Sequence, residues 1–516
     1  MRASRSPSPG PLPPVALVAL VAALLVVVLV VVVVLVRRDR GDEAPAAPAW
    51  PLAASEDGTG LVDADGRPVL HLADTVWLAA ARLDQEGLRT LVETRAEQGL
   101  TALQVSVLPF VHLPGPAGFE DDPLANAYGD RPLEDGDLGR PLEVGGRTDD
   151  PTDGDYDYWD HVDHLVTLAA EHGLTVTLVP SWYGYRGEDW RGALGVDDAR
   201  AYGAFLGERL GHHPNLLWLL GGDDDVRGDV DRVDPAVAGR EEVRDARAAT
   251  RAMAEAIRDA EAVPHLMSYH ASRGTSSLVD LADEDWQTFV SAYSGTATAA
   301  AVAQVTGTGR PVVLTEAYYD GREDDPVLDR ADLRAQAWGA VLGGAGFAAG
   351  HEGVWDLDPG HGPDSEEGGR WEDLLDAPSA GDLGVLATAV RDLLPLRPAA
   401  GLLAGGEDLG EDLDDDELEG DARPAPVTAA VSGDGRTALV HVPRGGEVDL
   451  QVRELPAALR PEDGRPAGVA WLDPATGGTT DAGRLDPADA DGDCVVTLRA
   501  PEGAGSPDVV LVLTAG

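Results

Sequence analysis

The sequence predicts an α/β chain. A TIM (β/α)8 barrel comes first, then a C-terminal antiparallel β-sandwich domain, with an N-terminal transmembrane helix ahead of both. Three observations carry this. Val15–Val36 is an unbroken apolar run. From Pro51 to about Pro398, near-continuous apolar strand-like runs alternate with amphipathic helical segments. From Pro424 onward the pattern changes to short alternating runs punctuated by Gly, Asp and Pro. Strands buried on both faces and separated by helices indicate a parallel sheet covered on both sides. Eight of them fit the barrel.

The elements follow in chain order. Residues 1–14 form an N-terminal tail. Residues 15–36 span roughly 33 Å at about 1.5 Å per residue, enough to cross a bilayer core. They read as an uncleaved signal anchor that places the catalytic part outside the cell; cleavage near Ala44-Pro45-Ala46 would give a secreted protein. Residues 37–50, rich in Ala and Pro, read as a stiff linker.

Residues 51–400 form the barrel. Its strands are expected at Val69–Leu72, Thr101–Leu108, Leu174–Pro180, Asn215–Leu220, His265–Tyr269, Phe289–Tyr293, Arg310–Thr315 and Gly346–Ala349. The first helix carries Leu88, Leu91, Val92 and Ala96 at helical spacing, with Asp84 as N-cap and Gly99 as stop. An open doubly wound sheet is the competing arrangement. No Gly-rich phosphate loop follows the first strand, which weighs against it. Residues 401–423 are an acidic linker, and residues 424–516 supply the sandwich strands.

Charge narrows the function. The 516 residues carry 39 basic and 91 acidic side chains, a net charge of −52, and every basic residue is Arg. This charge argues against nucleic acid and anionic membrane surfaces as partners, because both need a basic footprint. The single cysteine, Cys494, excludes an internal disulfide framework and a Cys-rich zinc site. Asp223, Asp224, Asp225 and Asp229 lack the D-x-D-x-D-G order of a calcium loop. No metal and no cofactor is expected.

In a barrel of this kind the chemistry sits at the C-terminal strand ends. Asp74 and Trp77 follow the first strand, and Gln104 lies on the second. Trp182 and Tyr183 end the third, and Gly221-Gly222-Asp223 the fourth. Tyr269 and His270 end the fifth, and Tyr293 and Ser294 the sixth. Glu316 with Tyr318 ends the seventh, and His351, Glu352 and Trp355 follow the eighth. Asp223 and Glu316 amid aromatics suit glycosidic bond cleavage. One carboxyl protonates the leaving oxygen, and the other attacks the anomeric carbon or activates water. Aromatic faces stack on sugar rings, so the partner is a poly- or oligosaccharide. Against this stand a solvated loop for Asp223, a structural ion pair for Glu316, a bracing role for Asp74 and ordinary packing for each aromatic.

The stretches ADTVW, QVSVLPF, NAYGDRPL, YWDHVDHLV, WLLGGD, HLMSYH, VLTEAYY and GHEGVWDL, in this order, resemble the apiosidase-like glycoside hydrolases of family 140. WLDPATG at Trp471–Gly477 resembles the companion β-domain, which bears a collagen-binding label. The resemblance implies a retaining hydrolase with Asp223 as acid/base and Glu316 as nucleophile. It places Asp74, Trp77, Gln104, Asn126, Trp182, Tyr269, His270 and His351 in family motifs, as substrate-binding positions beside Tyr318 and Trp355. After the nucleophile the chain reads TEAYY where many relatives read GEP, so the sugar does not transfer with the resemblance. Nothing in the sequence supports collagen binding, and bracing of the barrel is the expected role of the tail. The alternative function is a non-catalytic cell-surface carbohydrate-binding or adhesion protein on the same barrel. A hydrolase of an ester or amide bond is a third reading, which no G-x-S-x-G elbow and no Ser-His-Asp arrangement supports.

Overall fold

The computed structural model describes residues 47–184, 189–223, 226–227, 245–322, 327–357, 370–406, 425–460, 467–486, 490, 492–501 and 506–516. The Val15–Val36 span and most of the acidic linker lie outside them. Among the described residues no helix is long and apolar enough to cross a membrane.

The chain enters through a small antiparallel sheet of β1 (Ala53–Ala54), β2 (Leu61–Val62) and β3 (Pro68–Val69), which the sequence did not signal because its strands are too short for a period. Val69 therefore belongs to this sheet, and the first barrel strand shifts to β4 (Leu72–Thr75). The remaining barrel strands are β5 (Ala102–Ser106), β6 (Thr175–Val179), β7 (Leu216–Gly221), β8 (Met267–His270), β9 (Val290–Tyr293), β10 (Val312–Glu316) and β11 (Gly346–Ala349). They form one eight-stranded sheet in the order β8-β7-β6-β5-β4-β11-β10-β9, with every ladder parallel. The seam between β8 and β9 closes through Thr288. Its N–H donates to the Met267 carbonyl at 2.8 Å, and its hydroxyl accepts from the Met267 N–H at 2.7 Å.

Most strands feed a helix: α1 (Gln85–Glu97), α2 (Tyr158–Glu171), α3 (Val196–Leu210), α4 (Arg247–Ala260), α5 (Thr298–Val305), α6 (Arg330–Leu342) and α7 (Pro378–Val390). Asp84 caps α1 by accepting from the Gly87 N–H at 2.8 Å, and Leu88, Leu91 and Val92 bury its inner face. Asp157 and Asp329 cap α2 and α6 in the same way. Inside the barrel small residues meet, with Ala73, Ala102 and Ala348 in one cluster. Above them Gln104 donates to the Thr315 carbonyl at 2.9 Å, from β5 to the non-adjacent β10.

After α7 the chain becomes antiparallel. β12 (Leu396–Pro398), β13 (Thr428–Ser432), β14 (Thr437–Val442), β15 (Glu447–Gln451), β16 (Gly468–Leu472), β17 (Thr479–Arg484), β18 (Val495–Arg499) and β19 (Val509–Thr514) follow. Six of them form a sheet ordered β12-β13-β14-β19-β16-β17, and β15 pairs with β18 in a second. The two sheets share a core through Val440, Leu450, Trp471, Val496 and Leu511. β17 is exposed throughout and carries no hydrophobic alternation, so periodicity could not reveal it. The outer face of the larger sheet packs on the barrel helices. Ala430, Leu439, Leu472 and Val510 share one cluster with Trp338, Val341, Leu386 and Val390. Each such Leu or Val contributes about 1.5–3 kcal/mol by leaving water.

Candidate active site

The C-terminal ends of the parallel strands open on a cleft of about 250 Å3 lined by Trp77, Phe110, Trp182, Asp223, Arg273, Tyr293, Glu316, Tyr318, Tyr319, Arg322, Glu352 and Trp355. The aromatic wall is continuous. Phe110 stacks on Trp182 at 5.2 Å and 24°, and Trp182 meets Trp77 at 4.5 Å and 51°. Such faces suit the C–H surface of a sugar ring. Arg322 and Arg273 lie over the Tyr318 ring at 4.3 and 5.3 Å.

Glu316 is the last residue of β10 and is 8% exposed. The Tyr293 hydroxyl donates to its Oε1 at 3.3 Å. His270 Nε2 lies 3.0 Å from its Oε2. That contact is short but is not aligned as a hydrogen bond, and neither atom has another hydrogen-bond partner among the described residues. Burial, and after it the negative charge of Glu316, pushes the Tyr293 phenol well above its ordinary pKa. The same causes act on Tyr319, whose hydroxyl also accepts from Trp77 Nε1 at 3.1 Å. Both phenols stay protonated and able to donate.

Asp223 follows β7 on a turn with positive φ at three successive residues: Gly221 at 85°, Gly222 at 138° and Asp223 at 51°. The first two positions require glycine. A Cβ at Gly221 would sit 2.4 Å from the Tyr269 ring, and one at Gly222 would sit 2.3 Å from Trp182. The turn therefore lets backbone pass between two rings and brings Asp223 to the cleft.

The sequence-predicted residues divide into groups. Trp77, Trp182, Asp223, Glu316, Tyr318 and Trp355 line the cleft. His270 lies fully buried beneath it. Asp74 does not join them: it is turned to α1, where Arg95 Nε donates to it at 2.7 Å. Tyr269 points into the helix-side core against Tyr183. Asn126 folds its own loop, accepting from the Tyr128 and Asp130 N–H groups at 2.9 and 3.0 Å. Gln104 serves the barrel interior. His351 accepts from the Gly353 N–H at 3.0 Å and lines a separate cavity of about 50 Å3 beside Asp74, Arg95 and Asp382. Sequence reasoning missed Tyr319, Phe110, Arg273 and Arg322, and met Tyr293 and Glu352 at strand ends without giving them a role. Asp224, Asp225 and Asp229 lie outside the described residues.

A parallel eight-stranded barrel with two strand-end carboxylates under an aromatic wall has the build of a glycoside hydrolase. Residues 55–395 match the family described as Apiosidase-like, catalytic domain, and the chain belongs to that family. The fold is also that of solved structures. A glycoside hydrolase family 5 protein from Bacteroides vulgatus ATCC 8482 superposes with a TM-score of 0.70 at 22% identity, covering 90% of this chain and 93% of that one. A second structure, described as a glycoside hydrolase, gives a TM-score of 0.69 at 22% identity over 91% of this chain and 97% of its own. No curated protein matches the sequence.

Proposed function

We propose that the protein is a retaining glycoside hydrolase of poly- or oligosaccharides, with Asp223 as acid/base and Glu316 as nucleophile. The observation that carries this reading is that both carboxylates open on one aromatic-walled cleft, with Glu316 buried under a tyrosine donor. Asp223 protonates the glycosidic oxygen as the Glu316 carboxylate attacks the anomeric carbon. The leaving sugar departs with the proton, and a covalent glycosyl ester remains on Glu316. Asp223, now a carboxylate, takes a proton from water, and the hydroxide formed displaces Glu316 with a second inversion. The Tyr293 hydroxyl orients the nucleophile and holds its charge as the ester is released. Trp77, Trp182, Tyr318 and Trp355 supply the stacking surfaces.

The experiment uses residues 47–516 against aryl glycosides and pectic, arabinan and glucan oligosaccharides, beside Glu316→Gln. Sugar release lost in the variant, with the first-formed product keeping its anomeric configuration by NMR, supports the reading. A product of inverted configuration, or equal release by both proteins, overturns it. The N-terminal apolar segment supports a further part of the proposal, that the enzyme is held on the cell membrane with its barrel outside. Protease shaving of intact cells that spares the barrel would refute that part.

A further inference from the structure

We propose that His270 is a positioning residue that holds both carboxylates in register, a role that rests on the two-carboxylate reading above. His270 ends β8, is fully buried, and is wedged by rings on three sides: Trp182 at 5.2 Å, Tyr293 at 5.5 Å and Trp77 at 5.7 Å. Its rotamer is thereby set. A buried imidazole facing no open part of the cleft is poorly placed to touch a sugar. It is well placed to bridge two strand ends.

The bridge has two arms. One reaches the turn after β7. The His270 carbonyl accepts from the Gly222 N–H at 3.2 Å, and Nδ1 accepts from the Asp223 N–H at 3.3 Å. A non-glycine residue at φ 51° persists only where its surroundings over-determine it, and these bonds do so. The other arm reaches Glu316, with Nε2 at 3.0 Å from Oε2. The Asp223 amide is an obligatory donor, which assigns the lone pair to Nδ1 and the proton to Nε2, facing Glu316. The Ala271 carbonyl, 3.2 Å from Nδ1, could bond it only in the opposite tautomer. A loosely aligned contact in the empty site tightens when substrate draws the nucleophile into line. One side chain thus couples the backbone under the acid to the carboxylate of the nucleophile.

Two conservative variants separate the arms. In His270→Asn the amide oxygen stands close to where Nδ1 stood and keeps the Asp223 arm. In His270→Gln the longer amide reaches Glu316 and gives up the Asp223 arm. Each is assayed on two aryl glycosides of one sugar, with an activated and a poor leaving group, once wild type and Glu316→Gln have shown that the hydrolase reading stands. His270→Gln is expected to lose about 30-fold or more in kcat on the poor leaving group, which needs the acid, and only a few-fold on the activated one. His270→Asn is expected to lose similar factors on both, with KM nearly unchanged. A rise in KM alone, or equal losses in both variants on both substrates, overturns the proposal and makes His270 a substrate contact or a packing residue. Should neither variant fold, 15N-histidine NMR of the wild type decides. The imidazole whose signals move in Glu316→Gln should carry its proton on Nε2; a proton on Nδ1 overturns the proposal.

Discussion

Arg334 on α6 grips Asp508, the residue before β19, through both carboxylate oxygens at 2.9 and 2.5 Å. The same guanidinium donates to Asp382 of α7 at 2.9 Å and to Ser506 at 2.7 Å. Both charged groups are sealed from solvent, with Arg334 4% and Asp508 0% exposed. Burial raises the Asp508 pKa, but hydrogen bonds from Arg334, His441 and Ser506 outweigh it and hold the carboxyl well below its usual range. A charge taken out of water needs such a complement of partners. Asp508→Ala is expected to destabilise the protein by about 3–5 kcal/mol, since it removes one of the two carboxylates that hold the buried guanidinium and leaves two of its donors unpaired. Urea unfolding followed by tryptophan fluorescence measures this, and a cost below about 1 kcal/mol would show the pair to be dispensable.

Tyr293→Phe removes the hydroxyl that donates to Glu316 Oε1. The bond matters most when charge returns to the carboxylate, so the expected loss is about 10–100-fold in kcat with little change in KM. Steady-state kinetics against wild type decides it. A pure KM effect would place Tyr293 among the sugar contacts.

Gly222→Ala drives a methyl group into Trp182 and forces a side chain into φ 138°. Activity is expected to fall by about 10-fold or more while the far-ultraviolet circular dichroism stays that of the wild type. Gly60→Ala, with open space around its Cβ and ordinary φ, is the control and should behave as wild type.

Stability should decline as pH falls from about 6.5 toward 4. Burial lowers His161 to about 4 and His71 to about 4. A folded pKa below the unfolded value of 6.5 favours the neutral imidazole, so the fold's advantage is complete above pH 6.5 and is lost as the unfolded chain takes up protons. His161 shows why: Tyr156 lies 2.8 Å from Nδ1 and the Leu83 carbonyl 2.8 Å from Nε2, an arrangement satisfied by one neutral tautomer. Tm measured across this range should fall more gently in His161→Gln than in wild type. Parallel curves would remove His161 from the account.

The barrel and its two strand-end carboxylates were legible because apolar runs have length and period, and because a strand end has one address in this fold. What sequence does not disclose is the phase of the strand. Neighbouring residues point to opposite faces, and near-continuous apolar strands carry no alternation to show which face is which. His270 therefore turns toward Glu316 while Tyr269 turns to the helix-side core, and Asp74 goes to Arg95. Asn126 opens the NAYGDRPL stretch, yet its loop consumes its side-chain carbonyl. Tyr293 and Glu316 are 23 positions apart and meet only through the β9–β10 ladder, a pairing no local pattern encodes.

The family match stops at residue 395, and β12 begins at Leu396 as an edge strand of the following sheet, paired residue for residue with β13. The joint between the two parts is thus itself a strand. A cut after residue 400, where the sequence pattern ends the barrel, would leave β12 on the barrel and strip its sheet of an edge strand. With Leu439 and Val510 packed on Trp338 and Val341, separating the two parts also exposes apolar surface on both pieces, so a shortened enzyme should keep its tail.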